Sequence, residues 1–82
     1  MTREEVLEKI RVHLADELDI DPARIEPQTR FREDLSADSL DLYTLVQELD
    51  DTYGVKISDD QAAQIQTVES AIDFVLSHAA DR

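Results

Sequence analysis

Within residues 34–51, DLSADSLDLYTLVQELDD, the sequence changes from an irregular loop to an amphipathic helix, and this change decides the fold. Asp38 is expected to cap the start of the helix, and Gly54 its end. The segment holds six acids and no base, so part of the helix surface is strongly negative. The apolar positions recur at the spacing of one helix face: Leu42, Leu45, Val46, Leu49 and Tyr53.

A capping box at the N-terminus predicts the first helix. Thr2 is the expected N-cap, and Glu5 stands at the third helical position, where its side chain can reach back. Pro22 ends the helix after about four turns, because the residue before a proline avoids helical geometry. The apolar stripe of this helix is Val6, Ile10, Leu14 and Leu18.

The C-terminal part of the chain predicts a short helix and a longer one. Ser58 and Gln61 form a second capping box, which opens a brief helix ending near Ile65. Thr67 is expected to cap the last helix. Its apolar stripe is Val68, Ala71, Ile72, Val75 and Leu76.

Residues 22–37 show no helical period and predict a long ordered loop with at most one short helical turn. Ile25, Phe31 and Leu35 are isolated apolar residues that are expected to anchor this loop on the core. The complete pattern predicts an all-α fold. We expect a small four-helix bundle with three main helices, one short helix and a long loop between helices one and two.

The composition bounds the function. With 82 residues, the chain is expected to form a single domain spanning residues 1–82 and to be a monomer. A net charge of −12 repels nucleic acids and anionic membranes and favours basic patches on other proteins. The absence of cysteine excludes disulfides and thiolate zinc sites. Because neither a signal region nor a membrane span is recognisable, we expect a cytoplasmic protein without membrane insertion.

Catalytic chemistry finds no support in the sequence. Ser39 lacks the flanking glycines of a G-x-S-x-G nucleophile turn. The two histidines, His13 and His78, are expected at helix surfaces, so no triad with Ser39 is predicted. We therefore expect no catalytic residues and a protein that is not an enzyme.

A metal site is also not predicted. Asp34, Ser36 and Asp38 fit the first three ligand positions of a calcium-binding loop. Ser39 and Leu45, however, stand where such a loop requires glycine and glutamate. The pattern thus fails at its most demanding positions, and loose divalent-ion binding of little specificity by the acidic face is the alternative that stays open.

Ser36 and Ser39 are also candidates for phosphorylation by a kinase. If Asp38 is the N-cap, Ser39 is the first helical residue, beside unpaired backbone N–H groups and the positive end of the helix dipole. A phosphate ester is tolerated there for the same reason that helix N-termini bind anions. Serine is also common at helix starts for structural reasons alone. The local pattern leaves the role of Ser39 open.

The residues around Ser39 resemble a known family. Asp38-Ser39-Leu40-Asp41 is similar to the Asp-Ser-Leu-Asp motif of bacterial acyl carrier proteins, whose serine bears 4'-phosphopantetheine through a phosphodiester. FREDLSADSLD (residues 31–41) resembles the loop-to-helix entry of that family. VKISDDQAAQIQTVESAIDFV (residues 55–75) resembles its last two helices and their linker. The resemblance extends over essentially the whole chain.

The resemblance implies a role for each matching position. Ser39 is the expected attachment site, which a phosphopantetheinyl transferase modifies with coenzyme A, and the thiol of the arm bears the acyl cargo as a thioester. Asp38 is expected to cap the helix and to contact the transferase through a magnesium ion. Acyl-transfer and chain-elongation enzymes with basic docking patches are the expected partners. The expected partner-binding residues are Leu40, Asp41, Thr44, Gln47, Glu48 and Asp51.

The resemblance also implies an acyl pocket inside the bundle. The residues expected to line it are Phe31, Leu45, Val46, Leu49, Ala62, Ile65, Ala71 and Phe74. Plain core packing is the alternative role for each of them.

Several positions depart from the family pattern. Ser36 stands where glycine is usual, and Thr44 and Gln47 replace a glutamate and an apolar residue. Leu42 and Tyr43 also differ from the usual residues, so the surface that partners contact is altered. The resulting hypothesis is a discrete acyl carrier protein of type II fatty-acid synthesis. The alternatives are a specialised carrier of polyketide, aminoacyl or other secondary-metabolite synthesis, and an unmodified acidic interaction module.

Overall fold

The computed structural model of the chain describes residues 2–78 and contains five α-helices. They are α1 (Arg3–Leu18), α2 (Phe31–Leu35), α3 (Ser39–Tyr53), α4 (Asp59–Gln64) and α5 (Val68–His78). The three long helices, α1, α3 and α5, pack around one core, and α1 contacts both of the others. The expected all-α bundle is confirmed, and within residues 2–78 there is no β-strand.

The helix starts follow the predicted caps. Thr2, Asp38 and Ser58 each accept a hydrogen bond from the backbone N–H three residues on, with the reciprocal bond that completes a capping box. Thr67 Oγ1 likewise accepts from the N–H of Ser70, at 3.1 Å. Gly54 ends α3 in the left-handed conformation, with φ of 69°. These local signals therefore set the helix starts.

The segment between α1 and α3 contains more helix than the single turn that the sequence suggested. A 3-10 turn (Pro22–Arg24) follows α1, and α2 occupies the five residues after Arg30. Neither element is long enough to show a period in the sequence. The predicted apolar anchors Ile25, Phe31 and Leu35 are all buried, so the segment is an ordered part of the bundle.

Backbone hydrogen bonds tie this segment to the start of α5. The Phe31 N–H donates to the carbonyl of Gln66 at 3.0 Å, and the Val68 N–H donates to the carbonyl of Thr29 at 2.9 Å. Thr29 is the one buried polar residue among those described, and its Oγ1 accepts from the Glu26 N–H at 2.9 Å. These bonds fix the N-terminal end of α2 against the start of α5.

The core is almost entirely aliphatic. Its fully buried side chains come from every long helix and from the connecting segments: Val6, Ile10, Leu14, Ile25, Phe31, Leu45, Leu49, Val55, Val68, Ile72 and Val75. Leu42, Val46 and Tyr53 were expected on the buried face of α3 but are only half-buried. Within residues 2–78, no helix is long and apolar enough to cross a membrane.

Candidate functional site

Ser39 is the first residue of α3, and Asp38 caps that helix. Asp38 Oδ1 accepts a hydrogen bond from the Asp41 N–H at 3.0 Å, and Asp41 Oδ2 accepts one from the Asp38 N–H at 3.2 Å. The bond from the Asp41 backbone lowers the pKa of Asp38 below its ordinary value, because it stabilises the carboxylate. Two acids thus fix the helix start and leave the Ser39 side chain exposed.

Arg32 contacts the Ser39 hydroxyl, which the sequence did not predict. Arg32 Nη2 lies 3.0 Å from Ser39 Oγ and donates a hydrogen bond to it. The two residues are seven positions apart and belong to different helices, α2 and α3. The contact exists only because α2 is present, and α2 left no periodic signal in the sequence.

Ser36 makes the turn that joins α2 to α3. Its φ of 58° lies in the left-handed region that favours glycine, and its N–H donates to the carbonyl of Arg32. The adjacent Ala37 is buried and its N–H donates to the carbonyl of Phe31 at 3.0 Å. Although serine replaces the usual glycine of the family pattern, the backbone adopts the glycine-like conformation.

The exposed face of α3 presents apolar groups among acids. Leu40 is 67% exposed and Tyr43 is 56% exposed, both high for large apolar side chains. Gln47 Nε2 donates to the Tyr43 hydroxyl at 3.1 Å, so these two side chains form one surface feature. Asp51 is also exposed.

Three of the residues expected at this surface have partners within the domain. Asp41 and Thr44 are half-buried, and Thr44 Oγ1 donates to the carbonyl of Asp41 at 2.8 Å. Glu48 lies on the side of α3 that faces α1, where its carboxylate is 3.0 Å from the Lys9 ammonium. Hydrogen bonds from Lys9 and then Thr52 lower the pKa of Glu48.

A groove of about 410 Å³ runs from Ser39 between α3 and α4. Its apolar lining includes Leu42, Val46, Ile57 and Ala62. A second depression of about 280 Å³ also borders Arg32. It is lined by Phe31, Leu42, Ala62 and Ile65 among others.

The residues expected to line an acyl pocket are divided among different environments. Val46 and Ala62 line the groove beside Ser39, and Phe31 and Ile65 reach the second depression. Leu45, Leu49 and Ala71 are buried in the central core, away from both openings. Phe74 borders a separate shallow depression near α5.

Neither histidine forms a hydrogen bond with Ser39 in the described part of the chain. His78 is exposed at the end of α5, where its ring stacks on Phe74 with centroids 4.1 Å apart. His13 is half-buried on α1, and its Nε2 is buried without a hydrogen-bond partner among the described residues, which differs from the exposed position that we expected. Among residues 2–78, no group of three or more potential ligands is placed to hold a metal ion.

Comparison with known proteins identifies the family. The family model described as the phosphopantetheine attachment site matches residues 8–75. The acyl carrier protein of Rubrobacter xylanophilus is 49% identical over 78 residues, which cover 95% of this chain and 96% of that protein. The chain belongs to the acyl carrier protein family.

Other acyl carrier proteins are similar to this chain along nearly their full length. That of Thermosynechococcus vestitus is 41% identical over 92% of this chain and 93% of its own. The solved structure of the acyl carrier protein from Enterococcus faecalis superimposes with a TM-score of 0.81 at 39% identity. That alignment covers 96% of this chain and all of the other. This acyl carrier protein therefore has the phosphopantetheine attachment domain, whose cofactor is 4'-phosphopantetheine.

Proposed function

We propose that Ser39 bears the 4'-phosphopantetheine arm and that the chain carries acyl intermediates in type II fatty-acid synthesis. The observation that carries the proposal is the exposed Ser39 hydroxyl at the first residue of α3. This residue lies inside the segment that the attachment-site family matches. Ser36, the neighbouring hydroxyl, belongs instead to the turn before α3.

The geometry at Ser39 fits a phosphodiester. The side chain is exposed, so the large arm can be attached without unfolding the helix. The start of α3 places backbone N–H groups and the positive end of the helix dipole beside the new anion. Asp38 does not compete for the hydroxyl, because its carboxylate accepts from the Asp41 backbone. The arm, once attached, supplies a terminal thiol that bears the acyl group as a thioester.

The attachment step requires one nucleophile from this chain. Ser39 Oγ forms a bond to the phosphorus next to the pantetheine unit of coenzyme A, and the bond from that phosphorus to the bridging pyrophosphate oxygen breaks. Adenosine 3',5'-bisphosphate leaves, and the hydroxyl proton passes to a base of the transferase. Among residues 2–78, neither histidine contacts Ser39, so we assign the base to the partner enzyme.

The exposed face of α3 is the proposed docking surface. Leu40 is the apolar contact within a chain of net charge −12, and Asp51 is an exposed acid on the same helix. Such a surface attracts basic patches, because long-range charge accelerates association, while a small apolar contact fixes the orientation. Partners of this kind include the transferase and the acyl-transfer and chain-elongation enzymes. Short-lived encounters suit a carrier that must leave each partner in turn.

A specialised biosynthetic pathway is the second candidate. The observation that favours it is the pair formed by Tyr43 and Gln47, which presents an aromatic hydroxyl and an amide where the family pattern is apolar. Both side chains lie on the same exposed face as Leu40. Chain-elongation assays with fatty-acid synthesis enzymes separate the candidates, since a specialised carrier is expected to be a poor substrate for them.

Loading by a transferase tests the proposed attachment. We expect the intact mass of the protein to increase by one phosphopantetheine in the presence of coenzyme A and a broad-specificity transferase. Ser39→Ala should abolish the increase, whereas Ser36→Ala is the matched control and should retain it. If the protein is not modified under conditions that convert another acyl carrier protein completely, the proposed function is wrong.

A further inference from the structure

Arg32 is held at a fixed position relative to Ser39. Its neighbour Phe31 is fully buried, and the Phe31 N–H donates to the carbonyl of Gln66. The carbonyl of Arg32 accepts from the Ser36 N–H at 3.1 Å, which ties the residue to the turn that leads into α3. The Arg32 backbone is thus part of the rigid connection that ends at the Ser39 hydroxyl.

The Arg32 guanidinium has no anionic partner in the described part of the chain. No carboxylate of residues 2–78 lies within 4.0 Å of it, although Glu33 and Asp34 follow directly in sequence. Asp34 accepts instead from Arg30, at 2.8 Å from the backbone N–H and 3.4 Å from Nη2. Of its five N–H donors, Arg32 uses one on the neutral Ser39 hydroxyl.

We propose that Arg32 binds a non-bridging oxygen of the phosphodiester formed on Ser39 and thereby positions the first atoms of the arm. The proposal rests on attachment at Ser39. Arg32 Nη2 is already 3.0 Å from the oxygen that becomes esterified. The non-bridging phosphate oxygens lie two bonds beyond Oγ, on the far side of the phosphorus, within reach of the remaining guanidinium donors. A guanidinium binds phosphate oxygens more strongly than it binds a neutral hydroxyl, because the hydrogen bond is charge-assisted.

Arg32 also borders both openings near Ser39. It lines the groove between α3 and α4 together with Leu42 and Val46, and it lines the second depression together with Phe31 and Ile65. A phosphodiester held by Arg32 therefore starts the arm at the boundary between these two apolar surfaces. Since the ion pair is exposed, its population should fall as salt screens the charges.

Phosphorus-31 NMR of the loaded protein tests this proposal. In the loaded wild type, we expect the phosphodiester shift to change between low and high sodium chloride, because salt weakens its contact with Arg32. In loaded Arg32→Gln, the low-salt shift should equal the high-salt value of the wild type, and its salt dependence should be lost. Arg24→Gln removes the same charge from the 3-10 turn and should behave like the wild type. Arg32→Lys should restore part of the salt dependence.

A second measurement needs no variant. Loading should shift the Nε–H resonance of Arg32 in nitrogen-15 spectra of the wild type, while that of Arg24 stays in place. Identical phosphorus shifts and salt dependences in the wild type and Arg32→Gln, or an unmoved Arg32 resonance, would overturn the proposal. If the mass shows that the wild type takes up no phosphopantetheine, attachment itself is wrong and this inference falls with it. If loading succeeds and these signals do not differ, only the role of Arg32 is wrong.

Discussion

The Lys9 ammonium lies 3.0 Å from the Glu48 carboxylate and thereby joins α1 to α3. Thr52 donates a second hydrogen bond to the same carboxylate, at 3.2 Å. Both ionic side chains are about one-third exposed, at 37% for Lys9 and 33% for Glu48. An acid that the sequence marked for partner docking therefore has a partner inside the bundle.

Replacing Glu48 should make the free energy of unfolding depend less on pH in the acid range. The Lys9 hydrogen bond lowers the pKa of Glu48 from its ordinary value of 4.5, so the carboxylate stabilises the folded state above that value. This contribution is lost as the pH falls through the lowered pKa. We expect Glu48→Gln to cost roughly 0.2–1 kcal/mol at pH 7, the range for exposed ion pairs, and to cost progressively less as the pH falls below 4.5 and the carboxylate becomes protonated.

Urea unfolding of both proteins between pH 7 and pH 3 measures the difference. Asp51→Asn is the matched control, because Asp51 is an exposed acid of α3 with no ion pair among the described residues. It should change the free energy of unfolding little at any pH. An equal effect of the two substitutions at pH 7 would contradict the structural role of Lys9–Glu48.

Ser36→Gly should stabilise the protein. The φ of 58° costs a serine roughly 1 kcal/mol, which glycine avoids, while glycine adds flexibility to the unfolded chain. We expect a net gain of about 0.5 kcal/mol, or a melting temperature higher by about 2–4 °C. Ser58→Gly makes the same change at φ of −74° and should lower the melting temperature, because it also removes an N-cap. A lower melting temperature for Ser36→Gly would contradict the left-handed turn.

Much of the fold was accessible from the sequence because its signals are local. The caps at Thr2, Asp38 and Ser58 need only residues three positions apart, and the apolar stripes need only one helix each. The short helix α2 was missed, since five residues do not complete a period. Its existence depends on hydrogen bonds from the distant Gln66 and Thr67 region.

The candidate site likewise has features that the local sequence predicts and features that depend on how the helices pack. Ser39 and Asp38 were predicted as site residues from a motif, and their places at the start of α3 follow from one local cap. The Arg32 contact with Ser39 depends on how α2 and α3 are placed, and the Lys9–Glu48 pair depends on the rotation of α1 against α3. No sequence spacing predicts either of these two contacts. The cytoplasmic location and the monomeric state stay predictions.

Leu40→Ala should weaken encounters with partners without weakening the fold. Leu40 is 67% exposed, so its truncation removes almost no core contact. Losing its apolar contact with the transferase should reduce kcat/KM for loading on the order of tenfold, if about half of the removed surface is buried in the complex. Val12→Ala is the control, because Val12 is 58% exposed on α1. Equal loading rates for the two variants would contradict docking through Leu40.

The free energy of unfolding should distinguish a core position from a groove position. We compare Leu49→Ala in the core with Val46→Ala beside the groove. Leu49 is 1% exposed, so its truncation should cost about 2–5 kcal/mol in urea unfolding. Val46 is half-buried beside the groove, and its truncation should cost about 1 kcal/mol or less. Similar costs for the two substitutions would indicate that Val46 belongs to the core and that the groove is closed in solution.

The most direct test of the central claim is to locate the modification by tandem mass spectrometry. Trypsin cleaves after Arg32 and Lys56 and so releases residues 33–56, which contain both Ser36 and Ser39. After loading with coenzyme A and a transferase, fragments that include Ser39 but not Ser36 should carry the added phosphopantetheine. Fragments that place the added mass on Ser36, or an unmodified peptide, would contradict the assignment of Ser39 as the attachment site.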